Sequence, residues 1–138
     1  MKITKEFKWE MGHRLINHPG KCRNVHGHSY QLWVDIEGEP DENGMIIDFY
    51  DVSQIVKPLV EELDHAFMCH DQDSEILAYL QRNEMKLVVV PFPSTVENMC
   101  IYFAEKIKPA FKDYSNVTEF AVRIHETSSS EASLTDKL

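Results

Sequence analysis

From residue 3 to residue 13 apolar and polar side chains alternate. Ile3, Phe7, Trp9 and Met11 share one parity, and Lys2, Thr4, Glu6, Lys8 and Glu10 share the other. That period of two predicts a strand with one covered face and one wet face. His13 falls on the apolar parity. Residues 26–37 repeat the pattern: His26 and His28 share the parity of Tyr30, Leu32, Val34 and Ile36, while Gln31, Asp35 and Glu37 oppose them. The stretch "GEPDENGM" then reads as a turn.

Helical spacing follows. Asp48 stands as an N-cap before Phe49, Val52, Val56, Leu59, Val60 and Leu63. Pro58, inside this run, predicts a kink or a break. Residues 73–83 suit a short helix, and "KLVVV" a short buried strand. A third helix is expected from Ser94, with Val96, Met99, Cys100, Phe103 and Ile107 inward and Pro109 closing it. Ser94-x-x-Glu97 fits a capping box. Residues 117–126 read as a strand with Phe120, Val122, Ile124 and Glu126 on one parity, and the polar tail after it as a loosely held terminus. Two strands first, helices in the middle and a strand late predict an α+β fold with a mostly antiparallel sheet, in one domain over residues 1–138.

Pairing the first two strands antiparallel brings His13 beside His26 and His28, all on the apolar face. Three neutral imidazoles at one point are the ligand set of a zinc ion that keeps a fourth position open. Each could instead be a hydrogen-bonded core histidine. His18, His70 and His125 lack this placement and read as surface residues.

Composition bears on the chemistry at two points. The 138 residues carry a formal net charge of -9, which disfavours general binding to nucleic acid or to an anionic membrane. Against that background the loop "RLINHPGKCRNV" has Arg14, Lys21 and Arg23 and no acid, a local place for phosphate oxygens. The three cysteines, Cys22, Cys69 and Cys100, are too few and odd for a disulfide framework and suit a reducing cytoplasm. No apolar run reaches the roughly 20 residues of a membrane span, and the alternating N-terminus does not read as a signal peptide.

Cys22 lies in the basic loop, where nearby cations favour thiolate. Spacing alone leaves it as either a base or a fourth metal ligand. Cys100 faces the core. Asp64 and His65 end the first helix and could form an acid–base relay or a solvated helix end. Glu126 faces inward, which is costly unless the carboxylate is paired. A ligand presenting two adjacent N–H donors, such as a pterin or guanine edge, would satisfy it; a frayed strand end in water is the plainer account.

Taken together, His13, Cys22-x-x-x-His26-Gly-His28, Asp64-His65, Thr95-Val-Glu97-Asn98 and Glu126-Thr127 resemble the pattern of the 6-pyruvoyl-tetrahydropterin and 6-carboxytetrahydropterin synthase family. "MIIDF" before the first helix fits it too. The resemblance implies a tunnelling fold (T-fold), an antiparallel sheet with helices packed on one face, in chains that form trimers or dimers of trimers with active sites between subunits. It implies Zn2+ on His13, His26 and His28, Cys22 as the base, Asp64 and His65 as the relay, and Glu126 as the pterin anchor with Thr127 and Thr95 at the substrate. The substrate implied is 7,8-dihydroneopterin triphosphate, and the compact chain leans towards 6-carboxytetrahydropterin synthase. The chain departs from the pattern at Met11-Gly12, where small residues are usual, at Ser94, where proline is usual, and in a longer stretch from Cys69 to Val90.

Overall fold

A computed structural model describes residues 1–138. Its elements are β1 (Lys2–His13), β2 (His26–Gly38), α1 (Phe49–Leu63), β3 (Ala66–His70), α2 (Ser74–Arg82), β4 (Leu87–Val90), α3 (Val96–Phe111), β5 (Val117–Thr127) and β6 (Ser130–Lys137). The strands form one sheet in the order β4-β3-β1-β2-β5-β6. Pairing is antiparallel among β1, β2, β5 and β6, but β3 runs parallel to both β1 and β4. The sheet is therefore mixed; the α2 connection returns the chain in the same direction from β3 to β4.

The covered face is the apolar parity of the sequence. Tyr30, Leu32, Val34 and Phe120 are fully buried against Val52, Val56, Met99, Phe103 and Ile107 of the helices. Trp9 stacks on Tyr30 with ring centroids 5.0 Å apart. Burying each such large side chain contributes roughly 1.5–3 kcal/mol, so this face holds the sheet to the helices.

The opposite face is less wet than alternation predicts. Asp35 is buried there; it accepts from Thr4 Oγ1 at 2.6 Å and from Arg123 Nε at 2.8 Å. Burial works to raise the Asp35 carboxyl, but Arg123 and Thr4 together hold it below the ordinary carboxylate range. Trp33 lies against the Arg123 guanidinium and the His125 ring, and His125 pairs with Glu131.

Asp48 caps α1 as expected, its side chain accepting from the Tyr50 N–H. Four expectations are corrected. Helix α1 runs through Pro58, and α3 through Pro109 to Phe111. Both prolines sit on exposed faces beside exposed Gln54 and Glu105, so water can take the carbonyls they free. The cap of α3 is Thr95, accepting from Asn98 N–H, and not the Ser94/Glu97 box. The segment after Asp64, to which the pattern assigns no element, is strand β3. The tail is strand β6, laid along β5 with Ala132 and Leu134 half-buried against the core.

Candidate metal and acid–base site

The β1–β2 register sets His13 opposite His26 and Met11 opposite His28. Because side chains alternate, the three rings project from one face at the strand ends. Ring centroids are 4.6 Å apart for His13–His26, 5.2 Å for His13–His28 and 4.9 Å for His26–His28. Gly27 separates His26 from His28, and a Cβ there would come within 2.9 Å of the Met11 carbonyl oxygen across the hairpin.

The hydrogen bonds assign the tautomers. His13 Nδ1 is 2.7 Å from the Ser94 carbonyl oxygen, and His26 Nδ1 is 2.7 Å from the Asn24 carbonyl oxygen. A carbonyl only accepts, so each Nδ1 carries the proton and each Nε2 keeps its lone pair. The Nε2 atoms of His13, His26 and His28 are buried and lack a hydrogen-bond partner. Burial lowers His13 to about 4, against the Ser94 carbonyl, which favours the charged ring; His26 and His28 lower it further. Burial also lowers His28, opposed by Glu126. Burial thus favours the neutral, metal-binding form of His13 and His28.

Glu126 is the extra residue where the β5–β6 register shifts between His125 and Thr127. That bulge turns its carboxylate onto the histidines. Oε1 is 2.8 Å from His28 Nε2 and 3.7 Å from His13 Nε2. The 2.8 Å contact is not aligned as a hydrogen bond, so His28 Nε2 still counts as unpaired. One ligand atom from each of His13, His26, His28 and Glu126 lies within 4.8 Å of the others, a group that could hold a metal ion. Four converging donors, three with orphaned buried nitrogens, fit such an ion.

Cys22 is half-buried in a single 3-10 turn, Lys21–Arg23, in the loop that joins β1 to β2. Its carbonyl accepts from Leu15 N–H, which pinches the loop. Tyr30 reports what lies near. Burial first, then the charges of Glu126 and Cys22, push its phenol upward, and its hydroxyl is buried without a partner. The expected basic island is smaller than its composition. Arg14 is committed to buried Asp73 through two 2.6 Å hydrogen bonds, whereas Lys21 and Arg23 remain exposed.

Asp64 and His65 do form a pair, with Asp64 Oδ2 2.9 Å from His65 Nδ1. Asp64 Oδ1 accepts from Glu10 N–H at 2.9 Å, and His65 N–H donates to Glu10 O at 2.7 Å. Within one chain they do not join the histidine cluster. Ala66 pairs with Met11 on the covered side, so His65 turns to the open side. There it shares a cavity of about 350 Å³ with Glu10, Gly12, Gly27 and Ser29. Its side chain is 76% exposed. Thr95 spends its hydroxyl as the α3 cap, and Thr127 is exposed with its hydroxyl near Ser129.

Two contributors were not legible in the sequence: Ser94 and Asn24, whose carbonyls orient His13 and His26. A backbone carbonyl has no sequence signature. Tyr30 had one, since it follows the histidines on their own parity.

The fold and the cluster define an α+β sheet protein with a tris-histidine, single-carboxylate cluster that could hold a metal ion. A sequence model of the 6-pyruvoyl tetrahydropterin synthase family matches residues 2–137, and the chain belongs to that family. It is an enzyme of the tetrahydropterin synthase family. The 6-carboxy-5,6,7,8-tetrahydropterin synthase of Haemophilus influenzae is 39% identical over 78% of this chain and 82% of its own. The Rickettsia bellii protein of the same name is 29% identical over 92% and 94%. The crystal structure of Plasmodium vivax 6-pyruvoyl tetrahydropterin synthase superposes with a TM-score of 0.81 over 100% of this chain and 98% of that one, at 20% identity. No helix is long and apolar enough to cross a membrane.

Proposed function

We propose that this chain is a zinc-dependent lyase that converts 7,8-dihydroneopterin triphosphate to 6-carboxy-5,6,7,8-tetrahydropterin, releasing acetaldehyde and triphosphate. The product would feed 7-deazaguanine bases of the queuosine type. The names of the Haemophilus and Rickettsia relatives support the 6-carboxy product. The observation that carries the metal chemistry is the convergence of three buried, unpaired Nε2 atoms. His13, His26 and His28 would hold the ion through them. When bound, zinc supplies a Lewis acid towards the side-chain hydroxyls of the substrate.

The chain's own groups supply the rest. Cys22, in the loop beside the cluster, takes the substrate side-chain proton. Asp64 fixes Nδ1–H of His65, which leaves His65 Nε2 to carry a proton. Because that pair sits on the other side of the sheet, a second copy provides it, in a homotrimer or dimer of trimers. Glu126 receives the adjacent N–H donors of the pterin edge, with Thr127 and Thr95 bordering the substrate. Three unpaired cysteines agree with work in the cytoplasm.

Metal analysis combined with product mass spectrometry tests this. Protein loaded with zinc and given the triphosphate substrate should yield the 6-carboxy pterin. A 6-pyruvoyl pterin would assign the alternative, 6-pyruvoyltetrahydropterin synthase, which eliminates triphosphate and keeps the side-chain carbons. Neither product from metal-loaded protein would refute both.

A further inference from the structure

Helix α1 ends badly by its own sequence. Its last turn contains Glu61 and Glu62 and no basic residue, the wrong sign for the negative end of a helix dipole. Its final carbonyls still need donors. Lys86, on the approach to β4, supplies them: Nζ donates to Glu61 O at 2.8 Å and to Asp64 O at 2.6 Å. Two features fix where that ammonium falls. Glu84 adopts left-handed backbone, φ 53°, and closes α2. The Lys86 carbonyl then accepts from Phe67 N–H at 3.0 Å, starting the parallel β3–β4 pairing.

The residue clamped this way is Asp64, whose next neighbour His65 also has left-handed backbone, φ 59°. That conformation is uncommon for a side-chain-bearing residue and has to be imposed by its surroundings. Glu10 of β1 holds it from one side, its N–H donating to the Asp64 carboxylate and its carbonyl accepting from His65 N–H; Lys86 holds it from the other. We infer that Lys86 is a positioning residue for the Asp64–His65 pair, a purpose for the long segment between Cys69 and Val90. The inference rests on the proposal that this pair relays protons.

The charges facing Asp64 are His65 beside it, Glu10 of β1 and Lys86. Glu10 is occupied with the Ser29 hydroxyl at 2.7 Å. The Glu10 N–H is the main cause that holds the Asp64 carboxyl below its ordinary range; His65 and then Lys86 add to it. Ionised Asp64 is much the stronger acceptor for His65 Nδ1–H. Loss of the Lys86 cation therefore moves the acid limb of the rate profile to higher pH.

The experiment compares kcat, KM and the pH profile of the zinc-loaded enzyme with those of Lys86→Met, Lys86→Gln and Lys86→Arg, alongside Asp64→Asn and His65→Ala. General acid–base groups contribute factors of 10²–10⁴, so a loosened pair should lose about tenfold in kcat. Lys86→Met should lose that factor at unchanged KM and metal content, with its acid limb shifted up in pH. Lys86→Arg should restore both. Lys86→Gln keeps a donor for the carbonyls without the charge; it should show the shifted limb even if Lys86→Met fails to fold. If Asp64→Asn and His65→Ala lose turnover while both neutral Lys86 variants match wild type in rate and profile, the positioning role is overturned. If Asp64→Asn and His65→Ala keep their turnover, the relay reading fails and this inference fails with it.

Discussion

Lowering the pH of the metal-free protein from 7 to 5 should remove about 2 kcal/mol of stability through His13 alone. The ring is 1% exposed, and burial takes it from 6.5 to about 4. A histidine depressed in the fold binds fewer protons there than in the unfolded chain. Its contribution is whole above the unfolded value and is lost as pH falls through 6.5 towards 4. With those two values the linkage relation gives a loss of about 2 kcal/mol between pH 7 and pH 5. His28, lowered by the same cause, adds in the same direction, while Asp35, held low, contributes its own loss at more acid pH. The assay is urea unfolding of chelator-treated protein at several pH values, beside His13→Gln, which keeps an N–H for the Ser94 carbonyl but does not titrate. Wild type should lose about 2 kcal/mol more than the variant over this range. Parallel losses would refute the claim that the fold holds His13 neutral.

Three further outcomes follow from named contacts. Cys22→Ala should retain zinc and substrate binding while losing most of its turnover, checked by metal analysis and kinetics; release of zinc would make Cys22 a ligand instead. Asp35→Ala should cost about 2–3 kcal/mol in denaturant unfolding, because it strips two charge-assisted bonds from Thr4 and Arg123 and leaves a guanidinium that is only partly solvated. Tyr30→Phe deletes a buried hydroxyl that has no partner, so the melting temperature should hold or rise; a loss of about 1 kcal/mol would show that the hydroxyl is bonded.

What the sequence made legible follows its periodicities. The parity of β1 and β2 sufficed to bring His13, His26 and His28 together, since a strand allows only two faces. Glu126 had the right parity, but nothing announced the bulge that aims it. Strand β3 escaped because it follows α1 with only Asp64 and His65 between, and His65 makes that turn in a left-handed conformation which glycine normally signals. Strand β6 escaped because "SEASLTDK" buries little of its own; its backbone is ordered by β5. The α3 cap moved one residue, from Ser94 to Thr95, which released Ser94 to orient His13. The position of Asp64–His65 on the far side of the sheet from the cluster depends on the β1–β3 pairing, a long-range contact that no local pattern reports.

The β1–β2 hairpin has unequal tolerance to insertions and deletions. One residue gained or lost between His26 and His28 would send an imidazole through to the opposite face, and the close approach of Gly27 to Met11 leaves no slack to absorb it. In the loop of residues 14–25 a change of length can leave His13 and His26 paired, since that register is set by the strands. An insertion or deletion there would displace Lys21, Cys22 or Arg23 relative to a histidine triad that stays in place, so it would disturb the proton-handling and anion-facing groups and spare the triad.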